Sequence, residues 1–184
     1  MIIVISGPGG VGKGTLVGRL LDRDPSIVLS RSWTTRHPRA DESPEAYRFV
    51  DRDTFEAHAE AGGFLEWVEF LDYLQGSPVP EDIEGRDTLF EIDVNGARAI
   101  LEKYPDTLFI FVDAPSPEEQ RRRLEGRGDD DDHVRRRLEH GVTERRMAEE
   151  LDALIIVNDD LDRAVVDLER AIAAHRTTGA GPEC

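Results

Sequence analysis

Ile2-Ile-Val-Ile-Ser-Gly-Pro-Gly-Gly-Val-Gly-Lys-Gly-Thr15 is the stretch whose reading decides the fold. Ile2 to Ser6 is a continuous, largely β-branched apolar run, which predicts a strand buried on both faces of a parallel sheet. Glycines at 7, 9, 10, 12 and 14 follow, and Thr15-Leu-Val-Gly-Arg-Leu-Leu21 then sets Leu16, Leu20 and Leu21 on one helical face. A strand, a glycine loop and a helix, in that order, open an α/β fold. Glycines at such a junction let backbone N–H groups converge on phosphate oxygens, and the helix N-terminus adds positive potential. Lys13 supplies a point charge for the β- and γ-phosphates of a nucleotide, which completes the P-loop pattern.

Sheet-type runs recur further along. Ser26 to Ser30 reads as a short strand, and Thr88-Leu-Phe-Glu-Ile-Asp93 as another, followed by a helix from about Gly96 to Lys103. Thr107-Leu-Phe-Ile-Phe-Val-Asp113 is the most hydrophobic run and predicts a central strand. A helix opens at Ser116 or Pro117 and reaches about Glu125; helix resumes from His133 to Glu150. Ala153 to Asn158 reads as a last strand, and Asp160 begins a final helix to about His175, with Leu161, Val165, Leu168 and Ile172 on one face. Thr177 to Cys184 reads as a frayed tail. Between Arg31 and Val79 the character differs: a polar, basic, irregular piece to Arg39, a strand at Tyr47–Val50, a helix capped by Asp53 or Thr54 and ended by Gly62-Gly63, and a strand at Phe64–Phe70. This is an inserted α+β subdomain rather than a βαβ unit.

The chain of 184 residues carries 23 Lys+Arg against 39 Asp+Glu, a formal net charge of -16. That excess of acid excludes a protein whose main task is holding nucleic acid or docking on anionic lipid. The 39% hydrophobic content, gathered in organised runs, excludes a disordered chain. Among the basic residues only Lys13 and Lys103 are lysines, and many carboxylates with two lysines suit a saline cytoplasm. One cysteine, Cys184, permits no internal disulfide, and the N-terminal run is too short to span a membrane, so a soluble, cytoplasmic protein is expected. The five histidines show no metal-ligand spacing.

An ordered series singles out one family. Ser32-Trp-Thr-Thr-Arg-His-Pro-Arg39, Tyr47-Arg-Phe-Val50, Phe64-Leu-Glu-Trp67, Gly76-Ser77, Glu91-Ile-Asp-Val-Asn-Gly-Ala97 and Val157-Asn-Asp-Asp-Leu161 together resemble guanylate kinases, from residue 2 to about 173. The resemblance implies an α/β protein with a P-loop NTPase core, a parallel β-sheet flanked by helices, an inserted small α+β GMP-binding subdomain and an arginine-rich helical lid. The core would take about 1–30, 86–120 and 141–176, the acceptor subdomain about 31–85 and the lid about 121–140. The implied reaction passes the γ-phosphoryl of ATP to GMP, and to dGMP, with Mg²⁺, by a monomer or homodimer.

Site residues follow from the residues and the resemblance together. ATP would lie on Gly7, Pro8, Gly9, Gly10, Val11, Gly12, Lys13, Gly14 and Thr15, with Asn158 near the adenine. Arg36 and Arg39 bracket a proline-stiffened turn and suit a clamp on one phosphate, with Tyr47 adding a hydroxyl. Guanine presents N1–H and N2–H donors, so a carboxylate accepting both is the natural selector, and Glu66 in a largely apolar strand fits. The resemblance adds Ser32, Ser77 and Asp93 around the base and ribose. Seven arginines stand between 121 and 137; Arg123, Arg127 and Arg137 match the lid pattern and, with Lys13, would stabilise charge on the transferring phosphoryl group. Asp129 to Asp132 reads as a solvated lid tip. Glu91 stands where the family usually has aspartate and is expected near Mg²⁺, directly or through water.

One feature departs from the strict P-loop pattern and two depart from the family. Gly14 replaces the Ser or Thr that usually follows the lysine, giving the GKGT form of adenylate-kinase-like enzymes. Gln75 takes the place of a usual tyrosine. The loop 40–46 and the segment 78–87 are short. Gln75 and the altered loops motivate a rival reading, a kinase for another small phosphate ester such as ribose 1,5-bisphosphate, which Glu66 and Ser77 oppose. A non-catalytic guanylate-kinase-like protein-binding module is the rival from another class, opposed by the intact Gly7, Gly12 and Lys13.

Overall fold

A computed structural model describes residues 1–38, 47–70, 72–80, 85–126 and 130–179. β1 (Ile2–Ser6) lies at the centre of a five-stranded sheet in the order β2 (Ile27–Ser30), β7 (Asp87–Glu91), β1, β8 (Leu108–Asp113), β9 (Leu154–Val157). All its pairings are parallel. The strand alternation divides the apolar side chains between two layers. Ile3, Ile5, Ile110 and Val112 pack with Leu16 and Leu20 of α1 (Lys13–Arg23) and with Val165, Leu168 and Ile172 of α6 (Leu161–Gly179). Val4, Phe90, Phe109 and Phe111 pack with Val94, Ala97 and Ile100 of α3 (Val94–Lys103) and Ala148 of α5 (Asp131–Glu150). A continuous apolar run in β1 is therefore needed, because both faces are covered.

The inserted region builds a second sheet, β4 (Arg48–Phe49), β3 (Trp33–Thr34), β6 (Tyr73–Pro78), β5 (Phe64–Phe70), in that order. Its apolar face is closed by α2 (Arg52–Glu60), which drives Phe55 against Trp33, Phe64 and Leu74. The Trp33 ring stacks on His58 at 4.2 Å.

Several expectations are corrected. The piece from Arg31 to Arg39 is not wholly irregular, since Trp33–Thr34 joins the second sheet. Asp51, not Asp53 or Thr54, caps α2: its carboxylate accepts the Thr54 N–H at 2.7 Å. α3 starts at Val94 under an Asp93 cap on the Gly96 N–H, 2.8 Å. Asp129 lies outside the described residues; Asp130 to Asp132 are solvated as expected but open a helix rather than forming a turn. Asp130 caps α5 by accepting the His133 N–H at 2.8 Å, and Asp131 and Asp132 form its first turn, where carboxylates suit the helix dipole. α6 runs on through Thr177 and Thr178, so the tail begins later than expected. α4 (Pro117–Glu125) starts where expected, with Ser116 accepting the Glu119 N–H. No helix among the described residues is long and apolar enough to cross a membrane.

Candidate active site

The P-loop runs from β1 into α1 under tight steric limits. Gly7 has φ +150°, and a Cβ there would lie 2.2 Å from the Val112 carbonyl oxygen of β8. Gly12, at φ +86°, would bring a Cβ to 2.6 Å from the Asn158 amide nitrogen. Neither position accepts a side chain without moving main chain or a buried amide. Lys13 is the first residue of α1, and its ammonium donates to the Gly7 carbonyl at 3.1 Å. The chain then exposes Gly14 and Thr15.

Glu91, at the end of β7, pairs in register with Ile5, so the sheet aims it at the loop. A Cβ on Gly14 would sit 3.6 Å from its carboxylate. Burial pushes the Glu91 carboxyl above its ordinary range, and the charge of Lys13 pulls it back. Among the described residues no group of three His, Cys, Asp or Glu could hold a metal ion. One carboxylate beside a lysine suits a divalent cation that arrives on a nucleotide's phosphates with its own waters, rather than a resident ion.

Side chains behind the loop hold its carbonyls. Asn158, buried after β9, donates to the Val11 carbonyl at 2.8 Å. Arg123 of α4 donates to the same carbonyl at 3.3 Å and to the Asn158 carbonyl at 2.9 Å, while Glu119 takes its Nε at 2.7 Å. In this conformation both residues buttress the loop's main chain. Arg137 of α5 lies against Gly9, where a Cβ would come 2.8 Å from its Nη1. Arg127 lies outside the described residues.

The second sheet gathers the other polar residues. Glu66 and Ser77 are cross-strand partners on β5 and β6, so they share a face; the opposite face at Gly76 is filled by Trp67 and Phe64. Glu66 reaches the start of α3, where a Cβ on Gly96 would stand 3.1 Å from its carboxylate. Asp93, the cap of that helix, is its electrostatic neighbour. Burial first, and then the Asp93 charge, hold the Glu66 carboxyl above the usual range. Ser32 precedes β3, and its carbonyl accepts the Arg48 N–H at 2.9 Å. The Arg36 guanidinium sits over the Tyr47 ring, 4.9 Å from its centre. Gln75 is in register with Thr34 and Val68 within the sheet. Arg39 lies outside the described residues.

A further network was not foreseen from the sequence. Asp113, at the end of β8, takes two hydrogen bonds of 2.7 Å from Arg145 of α5. Hydrogen bonding to Asp113 holds the guanidinium pKa above its ordinary value. Arg145 also donates to Gln120 of α4 at 2.8 Å, and Gln120 donates to the Gly9 carbonyl at 2.8 Å. In Glu118-Glu-Gln-Arg-Arg-Arg123, Gln120 reads as one more surface polar residue, and only the packing of α4 on α5 buries it.

Comparison with known proteins agrees with this geometry. The family model described as Guanylate kinase matches residues 1–175. The guanylate kinase of Synechococcus sp. (strain CC9902) is 48% identical over 174 residues, covering 91% of this chain and 92% of that one. The guanylate kinase of Rubrobacter xylanophilus is 44% identical over 182 residues, with 94% and 95% covered. The crystal structure of guanylate kinase from Anaplasma phagocytophilum superposes with a TM-score of 0.69 at 30% identity, over 95% of this chain and 85% of that chain.

Proposed function

Because the chain belongs to the guanylate kinase family, we propose that it transfers the γ-phosphoryl of ATP to GMP through the residues described above. The activity is that of an ATP:GMP phosphotransferase, and both its nucleotides are small molecules. The observation that carries the reading is the pairing of an intact P-loop with the Glu66–Ser77 face of the second sheet.

ATP phosphates lie along the loop from Gly7 to Thr15. Backbone N–H groups and Lys13 balance their charge there, and Asn158 lies on the side of the adenine. Glu66 accepts the N1–H and N2–H of guanine, with Ser32, Ser77 and Asp93 around base and ribose. Arg36, Arg39 and Tyr47 hold the GMP phosphate. Transfer needs no covalent intermediate: the acceptor oxygen is placed in line with the γ-phosphorus, and cationic side chains take up the charge that spreads over the equatorial oxygens. Arg137, already against Gly9, is the lid residue closest to that task, and Arg123 and Arg127 join it on closure. Mg²⁺ is the expected divalent ion, with Glu91 its nearest carboxylate, directly or through water. When bound it would neutralise β- and γ-phosphate charge. The core, acceptor subdomain and lid keep the boundaries given above, except that the last core helix runs to Gly179. A cytoplasmic monomer or homodimer suits a chain that draws on ATP and has one cysteine.

A coupled ADP-release assay over GMP, dGMP, AMP, CMP, UMP and ribose 1,5-bisphosphate tests the reading. Turnover is expected with GMP and dGMP. Preference for ribose 1,5-bisphosphate would overturn the role of Glu66, which has no donor pair to meet on that ligand.

A further inference from the structure

We propose that Gln120 is a positioning residue for ATP, fixing the inward aim of a P-loop amide through Gly9. The inference rests on the P-loop being the ATP site.

The Gln120 side chain is 0% exposed and held at both ends. Arg145 can only donate, so the amide oxygen must face it; the Gly9 carbonyl can only accept, so the NH₂ must face the loop. The amide cannot flip without leaving both partners unsatisfied in a buried site, and that penalty fixes its orientation. Arg145 is itself locked by its two bonds to Asp113 on the rigid end of β8.

The consequence lies across one peptide unit. No described peptide bond is cis, and in a trans peptide the C=O and the following N–H point in opposite directions. Pulling the Gly9 carbonyl outward towards α4 therefore turns the Gly10 N–H inward, to the concave side of the loop. The same logic acts two residues on, where Asn158 and Arg123 hold the Val11 carbonyl and turn the Gly12 N–H inward. Gly10 at φ +87° and Gly12 at φ +86° take the left-handed conformation this alternation needs. One face of α5 serves the whole arrangement. Arg137, Gly141 and Arg145, spaced by four, meet Gly9, Pro8 and Gln120 in turn. The helix that brings an arginine over Gly9 thus also fixes which way Gly9 points.

The test uses the full chain, titrating ATP and GMP separately by calorimetry alongside steady-state kinetics. Gln120→Met keeps the side-chain volume and removes both hydrogen bonds. Gln120→Glu keeps an acceptor for Arg145 but cannot donate to Gly9 at neutral pH. Both are expected to weaken ATP binding and raise its KM about tenfold, the scale of one well-placed hydrogen bond. GMP affinity should stay within about twofold. A merely structural glutamine would lower the melting temperature and affect both nucleotides alike. Wild-type ATP affinity in either folded variant, or equal loss for ATP and GMP, overturns the proposal; if Gln120→Met does not fold, Gln120→Glu decides. Wild-type protein that binds ATP yet phosphorylates no GMP would sink the functional reading instead, since the ATP titrations stand without turnover.

Discussion

Glu66 is where residue-scale electrostatics become substrate choice. Two acidic neighbours on one face, Glu66 and Asp93, leave the Glu66 carboxyl with a raised pKa, caused first by burial and then by Asp93. A raised pKa means the carboxylate is lost at a higher pH than for an ordinary glutamate as pH falls. Guanine needs the ionised form to accept both of its donors. The value of kcat/KM for GMP should therefore fall on mild acidification, and this limb should vanish in Glu66→Gln. Comparing the two profiles separates Glu66 from Glu91, whose carboxyl is also raised by burial. At neutral pH Glu66→Gln should cost about ten- to a hundredfold in kcat/KM for GMP, the worth of a hydrogen bond to a charged group. An unchanged acid limb in the variant would remove Glu66 from base recognition. Lys13→Ala, by contrast, should abolish turnover with a normal melting curve, because its ammonium holds a loop carbonyl, that of Gly7, and no part of the hydrophobic core.

At the scale of elements, two glycines near one helix make opposite predictions. Gly7→Ala places a methyl 2.2 Å from a β8 carbonyl and should destabilise by at least about 2 kcal/mol, seen as a lower urea midpoint. Gly18, inside α1, has nothing within 4 Å of its missing Cβ, so Gly18→Ala should stabilise by roughly 0.5–1 kcal/mol. Asp93 joins an element's stability to the site. Asp93→Asn keeps a good cap for α3 and removes a negative neighbour of Glu66, so the acid limb for GMP should move to lower pH. Asp93→Ala also loses the cap, at about 1 kcal/mol. The elements themselves were largely legible, because β1 and β8 are apolar runs and α6 repeats its leucines and valines at helical spacing. The cap of α2 was not, because Asp51, Asp53 and Thr54 all suit the role and only the chain's direction at Asp51 decides. The roles of Arg123, Asn158 and Gln120 against loop carbonyls were hidden for another reason. The resemblance brings Arg123 and Asn158 near the nucleotide and leaves Gln120 a surface residue, but which atom each meets depends on how α4 and α5 dock.

The whole molecule must hold itself together at a net charge of -16. Several described ion pairs are exposed contacts within one helix, such as Arg52–Glu56, Arg135–Asp132 and Arg146–Glu150, and such pairs contribute little each. Beside the partly buried Arg145–Asp113 pair, a second network differs from these. Arg176 of α6 bonds Asp87 at 2.6 Å and Asp24 at 3.0 Å, and the N-terminal ammonium takes the other oxygen of Asp87 at 2.7 Å. It ties the last helix to the first strand from partly buried positions, where salt screens weakly. At about 1 M salt the Debye length shrinks to about 3 Å. Long-range repulsion among the surplus carboxylates is then lost, while the Arg176 contacts persist. The melting temperature should therefore rise between low and molar KCl, and kcat at saturating nucleotides should survive. Arg176→Met should lower the midpoint at both salt concentrations by a similar amount. A midpoint that falls with added salt would mean the exposed pairs stabilise more than the net charge destabilises, and the acidic surface would then have no link to saline conditions.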